Sequence, residues 1–383
     1  MPWGLPAVSQ AHRPLLTTVD GTTEDQRWAP TRPTANRMKS DADWHEQDLL
    51  PSHERGHWAV WHNGAVSECS EAEVRRRLRR WQPQALVLVA PPDAPRFVTP
   101  ATIPAMANVV RAAILRRARW QVTICFVAAL VAMLLALLGS SRALLGWSVS
   151  FGLLGALFLT DELGALRNNT AIDERVRFLF WVKTSRATQW GAFIWTLIPT
   201  LAGAAQYTAL QRLGDLTHVF HAYGVMYPDV HASEFWRLVT GPYLHYSLLH
   251  FLNNYFMLIL IGTLSWVLLP GGLSLATFAL GNSVGAVGQI LLGGNAHDSC
   301  GGISFGINAL FGLLIASSAL DRRMLPHGFA TLCMFIAMLG ILGSEAGSAD
   351  TATAGHVVAL VFGALVAGAR HLTHKPHRPE RAH

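Results

Sequence analysis

The chain has 383 residues, of which 51% are hydrophobic and only 14% charged, with 33 glycines and a mean hydropathy of +0.29. Soluble proteins carry about 25% charged residues, so this composition argues against a water-soluble enzyme and excludes disorder over most of the length. Four cysteines, Cys69, Cys125, Cys300 and Cys333, are too few for a disulfide framework, and the net charge of +6 acquires meaning only once it is located along the chain.

Residues 1–50 are rich in Pro, Asp, Thr and Arg without apolar period, and the segment 1–56 is expected to be a disordered tail. It lacks the basic-then-apolar pattern of a cleaved signal peptide, so none is expected. Residues 57–119 are expected to hold a small cytoplasmic α+β unit and a linker. Trp58-Ala59-Val60-Trp61 before Asn63-Gly64 has the pattern of a strand entering a tight turn. Ser70 and Glu73 form a capping box for a helix carrying Arg75, Arg76, Arg77, Arg79 and Arg80, and Leu86–Val89 supplies a short strand. With no aromatic platform beside them, the arginines are read as a solvated helix face and not as a nucleic-acid site.

Beyond residue 120, apolar stretches long enough to cross a hydrocarbon core follow one another at 120–139, 143–160, 189–207, 245–267, 271–293, 302–320, 328–343 and 351–370. The first two form a hairpin, 120–160. The link 161–188, with Arg175, Arg177 and Trp181, has the pattern of an amphipathic helix at the membrane surface. Arg111, Arg116, Arg117 and Arg119 precede the first span and place the N-terminus in the cytoplasm. Eight crossings return the basic tail 371–383 to the same side. The basic link and Arg322-Arg323 also fall inside, whereas Asp215, Asp229, Glu234, Asp298, Glu345 and Asp350 fall outside. The positive charge is thus explained by topology, and no nucleic-acid partner is required.

Polar residues within spans are costly and point to function. One group, Trp236-Arg237 through His245, His250 and Asn254, runs into the span 245–267, with His250 and Asn254 on one helical face. A second, Gly301-Gly302-Ile303-Ser304 followed by Asn308, opens the span 302–320. A third, Gly355-His356 with Ala359 and Gly363, lies near the outer end of the last span. The topology puts all three at similar depth. Ser304 needs a base to become nucleophilic, and His356 is the candidate. The small residues Gly355, Ala359 and Gly363 would let the two helices approach. His250 and Asn254 could join the Ser304 amide in stabilising an oxyanion. Each feature also has a plainer account: a helix serine bonded to a carbonyl one turn back, a packing stripe of glycines, or a histidine in a proton relay.

Taken together, the three groups resemble the rhomboid family of intramembrane serine proteases over about residues 189–370. Trp236-Arg237, His250 with Asn254, Gly302-Ile303-Ser304 and Ala354-Gly355-His356 match that family's motifs in order and spacing. The resemblance implies an all-α polytopic membrane protein. Its six-helix rhomboid-like core would be preceded by an extra two-helix hairpin and the small α+β cytoplasmic unit. It further implies a Ser304–His356 dyad without an acidic third member, an oxyanion hole from His250, Asn254 and the Ser304 amide, and support from Trp236, Arg237, His245, Gly302, Asn308, Gly355, Ala359 and Gly363. Transmembrane proteins in the bilayer would be its substrates, with no cofactor and no metal. Three positions depart from the family: Phe305 replaces a small residue after the serine, Asn308 occupies a position where many members have an aromatic packed on the histidine, and Ser265-Trp266 replaces an acidic residue. Two other classes remain open, a non-cleaving binder of membrane helices and a transporter, although no internal repeat favours the latter. His53-Glu54-Arg55-Gly56-His57 matches the zinc-protease pattern, but its glycine and the strand-like residues after it speak against the helix that such a site needs. His218, His221, His231 and His297 lack ligand spacing and are expected to be solvated.

Overall fold

The computed structural model describes residues 56–62, 64–92, 94–139, 142–293, 298–347 and 352–373. Strands β1 (Trp58–His62) and β2 (Ala65–Cys69) pair antiparallel with Trp58 opposite Cys69 and His62 opposite Ala65. Ser70 accepts from the Glu73 amide at 3.3 Å and starts α1 (Glu71–Leu78). Three of the arginines on α1 are engaged within it, Arg75 with Glu71 and both Arg76 and Arg77 with Glu73. The expected strand at Leu86–Val89 begins two residues late, as β3 (Leu88–Ala90) on the free edge of β1. A short turn of helix over Pro83–Ala85 ends on Leu86 with φ of 48°, and extended backbone resumes only after it.

Helix α2 (Pro104–Gly139) runs unbroken from this unit into the first apolar stretch. Its early residues Met106, Val110 and Ile114 share a core with Val60, Leu78 and Leu88. The basic residues ahead of the span are partly used in packing, since Arg111 donates to Asn169 at 3.0 Å and Arg117 reaches Gln82 and Gln84. Helix α3 (Arg142–Arg167) returns against α2, where the Ser148 hydroxyl donates to the Ala129 carbonyl at 2.8 Å. The expected link helix divides. Its first part prolongs α3, and α4 (Asn169–Thr184) carries the rest. Many apolar residues of α4 pack on protein. Ile172, Val176 and Phe180 complete the core of the small unit, while Phe178 packs on Leu325 and Phe329 and Arg175 donates to the His327 carbonyl at 3.1 Å.

Helix α5 (Arg186–Leu213) leads to α6 (Leu216–Tyr223), strand β4 (Val225–Met226), α7 (Tyr227–His231) and α8 (Arg237–Thr240). The bundle continues with α9 (Leu248–Leu268), α10 (Gly271–Leu292), strand β5 (Ser299–Cys300), α11 (Ser304–Leu320), α12 (Phe329–Gly347) and α13 (Thr353–Thr373). Each of the eight apolar stretches falls on one of these helices. By length and composition, α2, α9, α10 and α13 can each cross a membrane, while α11 and the apolar parts of α3 and α12 are shorter. The chain is an all-α polytopic membrane protein with a small α+β appendage. Helix α11 is buried nearly all round, among α9, α10, α12 and α13. A Cβ added to Gly363 of α13 would run into the Ala309 carbonyl of α11, so these two backbones touch.

Candidate active site

Ser304 is the first residue of α11, so its amide is among those with no acceptor inside the helix. The approach to it is held by a two-stranded ladder, β4 with β5, in which Val225 faces Cys300 and Met226 faces Ser299. The chain then turns through Gly302 at φ of 109°, a conformation that a side chain resists. A Cβ there would also collide with the His250 ring and approach the Asn254 amide nitrogen. Asn254 is the seventh residue of α9, about 9 Å along its axis at about 1.5 Å per residue. The loop before the serine therefore dips into the bundle, and the site is sunk below its rim.

The Ser304 hydroxyl lies 2.7 Å from His356 Nε2, across the contact between α11 and α13. His356 is 8% exposed, and its Nδ1 has no hydrogen-bond partner among the described residues. Asn254 is 4% exposed and its side-chain nitrogen likewise has no partner there. An unpaired buried donor is costly, and here it lies beside Gly302, two residues before the serine. The structure thus gathers Ser304, His356, His250, Asn254 and Gly302 at one point. Gly355 and Ala359 flank His356 on α13, both buried, with Gly363 one turn further on.

Trp236, Arg237 and His245 lie in the surrounding layer. The Arg237 guanidinium is buried and pairs with Asp229 at 3.0 Å and Glu234 at 2.6 Å. It also donates to the carbonyls of His221 and Gly224 at 3.0 and 3.1 Å, and rests 4.8 Å from the Trp236 ring. Those bonds hold the chain on both sides of β4, and so the ladder that delivers Ser304. His245 is clamped through its backbone by the Gln206 side chain, at 2.9 and 2.7 Å, and its ring meets those of His250 and Phe251 at 5.2 Å. In the same layer, burial pushes the Tyr227 hydroxyl well above its ordinary range and keeps it neutral.

The departures at 305 and 308 have definite places. Phe305 is 1% exposed, with its ring 5.1 Å from that of His356. The Asn308 side chain donates to the Ser304 carbonyl at 2.9 Å. Two polar residues escaped sequence reasoning although they fulfil its own criterion of polarity within a span. Gln289 accepts from the Gly355 amide at 3.0 Å, and Asn282 accepts from the Gly306 amide at 2.8 Å. Both caught amides lie in the first turn of their helices, where such partners are needed. Of the metal motif, residues 53–55 and His297 lie outside the described residues, and His57 immediately precedes β1 instead of occupying a helix. His218 pairs with Asp215. Among the described residues, no cluster of three His, Cys, Asp or Glu could hold a metal ion. Of the Gly- and Ser-rich stretch 344–353, residues 348–351 also lie outside the described residues.

Residues 232–372 match the family model described as the Rhomboid domain. The match begins after α5, the first helix of the expected core. No curated protein matches the chain.

Proposed function

Residues 232–372 make up a rhomboid domain, and on that premise we propose that the protein is an intramembrane serine endopeptidase, cutting membrane-spanning segments of other proteins near the outer leaflet. The observation that carries this is the 2.7 Å contact between the Ser304 hydroxyl and His356 Nε2, with the Asn254 side-chain nitrogen, unpartnered among the described residues, in the same site. Ser304 Oγ attacks the scissile carbonyl carbon while its proton passes to His356 Nε2. The carbonyl electrons move onto oxygen, where the Ser304 amide, the Asn254 side chain and His250 stabilise the charge. Collapse of the intermediate breaks the C–N bond, and His356 returns the proton to the leaving amine. Water then attacks the acyl-enzyme with His356 again as base, which releases the second product and restores Ser304. These steps call for no metal or organic cofactor.

A peptide bond must leave its helix to reach Ser304, so weakly helical, small-residue segments are the natural substrates. In this reading the protein is a multi-pass component of a bacterial plasma membrane, with both termini cytoplasmic. The divisions are a tail 1–56, a cytoplasmic unit and linker 57–119, an added hairpin 120–160, a link 161–188, the protease core 189–370 and a basic tail 371–383. The test is cleavage of a model transmembrane substrate by wild type, Ser304→Ala and His356→Ala in liposomes, with labelling by a serine-reactive fluorophosphonate alongside. Loss of both signals in both variants is expected. A folded wild type that neither cleaves nor labels would overturn the protease reading.

A further inference from the structure

Among the described residues, no carboxylate stands behind His356. In a three-member site, an acid bonded to Nδ1 fixes the tautomer and the ring angle. Here Nδ1 has no hydrogen-bond partner among the described residues, and the ring is tethered at Nε2 alone, to the Ser304 hydroxyl it must activate. A single bond does not prevent rotation about Cβ–Cγ, so the ring angle must come from packing. The neighbour in place is the Phe305 ring, with centroids 5.1 Å apart and planes inclined by 56°.

Phe305 is itself immobilised. Its side chain occupies a slot between α10 and α13 that exists because two residues lack side chains. A Cβ on Gly285 would lie 2.6 Å from Phe305 Cβ and Cγ, and a Cβ on Gly355 would lie 2.5 Å from its Cε1. Ala286, Ala309 and Ala359 belong to the same buried cluster as Phe305. The residue following the nucleophile thus carries a rigid aromatic wall to the base on another helix. Because 304 and 305 are adjacent, one helix start sets both the serine and the wall.

We infer that Phe305 is the positioning residue for His356, fixing the imidazole angle in place of an acidic partner; this rests on the protease reading above. The test compares wild type with Phe305→Leu and Phe305→Met, both large enough to keep the core filled. With transmembrane substrate, kcat and the rate of fluorophosphonate labelling are expected to fall about 10- to 100-fold, the scale of a ~1 Å misplacement. KM should stay within about twofold, because Phe305 is buried, at 1% exposure. A second measurement does not depend on turnover. In protein with ring-labelled histidine, the His356 resonances, identified by their loss in His356→Asn, should be displaced by the Phe305 ring and should move in both variants. Wild-type kcat and labelling rates in the variants would overturn the inference while leaving the protease reading intact. If wild type proves inactive, the protease reading falls, and unmoved His356 resonances would overturn the positioning role as well.

Discussion

Replacing Gln289 by leucine removes the side-chain acceptor at the start of the helix that carries the candidate base. Gly355 is the third residue of α13, and its amide has no acceptor within the helix. Gln289 Oε1 takes that bond at 3.0 Å, from a side chain 2% exposed. Leucine keeps most of the volume, so little cavity cost is added. What remains is a buried, unpaired N–H, worth about 1–3 kcal/mol. Since about 1.4 kcal/mol is tenfold in an equilibrium, hydrogen exchange of the Gly355 amide should quicken by roughly 5- to 150-fold. The unfolding midpoint in detergent, followed by a thiol-reactive dye at the buried Cys300 and Cys333, should drop with it. His356 is the next residue, so labelling of Ser304 should slow too. Unchanged exchange at Gly355, with an unchanged midpoint, would show that Gln289 does not satisfy this helix start.

Asn254→Leu should lower kcat by about 10²–10³, the scale of losing an oxyanion donor, yet leave the unfolding midpoint unchanged or raised, because its side-chain nitrogen has no partner among the described residues; a lowered midpoint with full activity would assign it to structure. Arg237→Met should destabilise by about 2 kcal/mol, below the ~3–5 kcal/mol of a fully buried pair, because Asp229 and Glu234 are 39% and 45% exposed. Faster limited proteolysis around residues 224–240 is the readout. Asp215 caps α6, and the His218 backbone amide holds its carboxyl below the usual range. Its folded value is the lower one, so the cap acts at neutral pH and is lost as pH falls through about 4 and below. Amide protection in α6 should fade on acidification in wild type and lose that dependence in Asp215→Asn.

The local signals were legible because each rests on neighbours in the chain. The capping box at Ser70, the turn at Gly64 and the apolar stretches needed no knowledge of the fold. Leu86 was misread because a left-handed residue beside an apolar run leaves no mark in composition. The link around Arg175 shows a different limit. An apolar helix face announces that something covers it, but cannot say whether lipid or protein does, and here Leu325 and the small unit do.

The sequence by itself determined the solvent and the chemical inventory. A charge content of 14% argues for a bilayer, and within that background each serine, histidine and asparagine is conspicuous. What only the tertiary structure decided is how those groups meet. Ser304 and His356 are 52 residues apart, and the 2.7 Å between them depends on a backbone contact at Gly363 that no local pattern measures. The same holds for Phe305. By position it is an odd residue after a serine, and only the slot left by Gly285 and Gly355 turns its ring toward His356. Burial preferences act residue by residue, whereas distances between helices are set by which small residues happen to face each other.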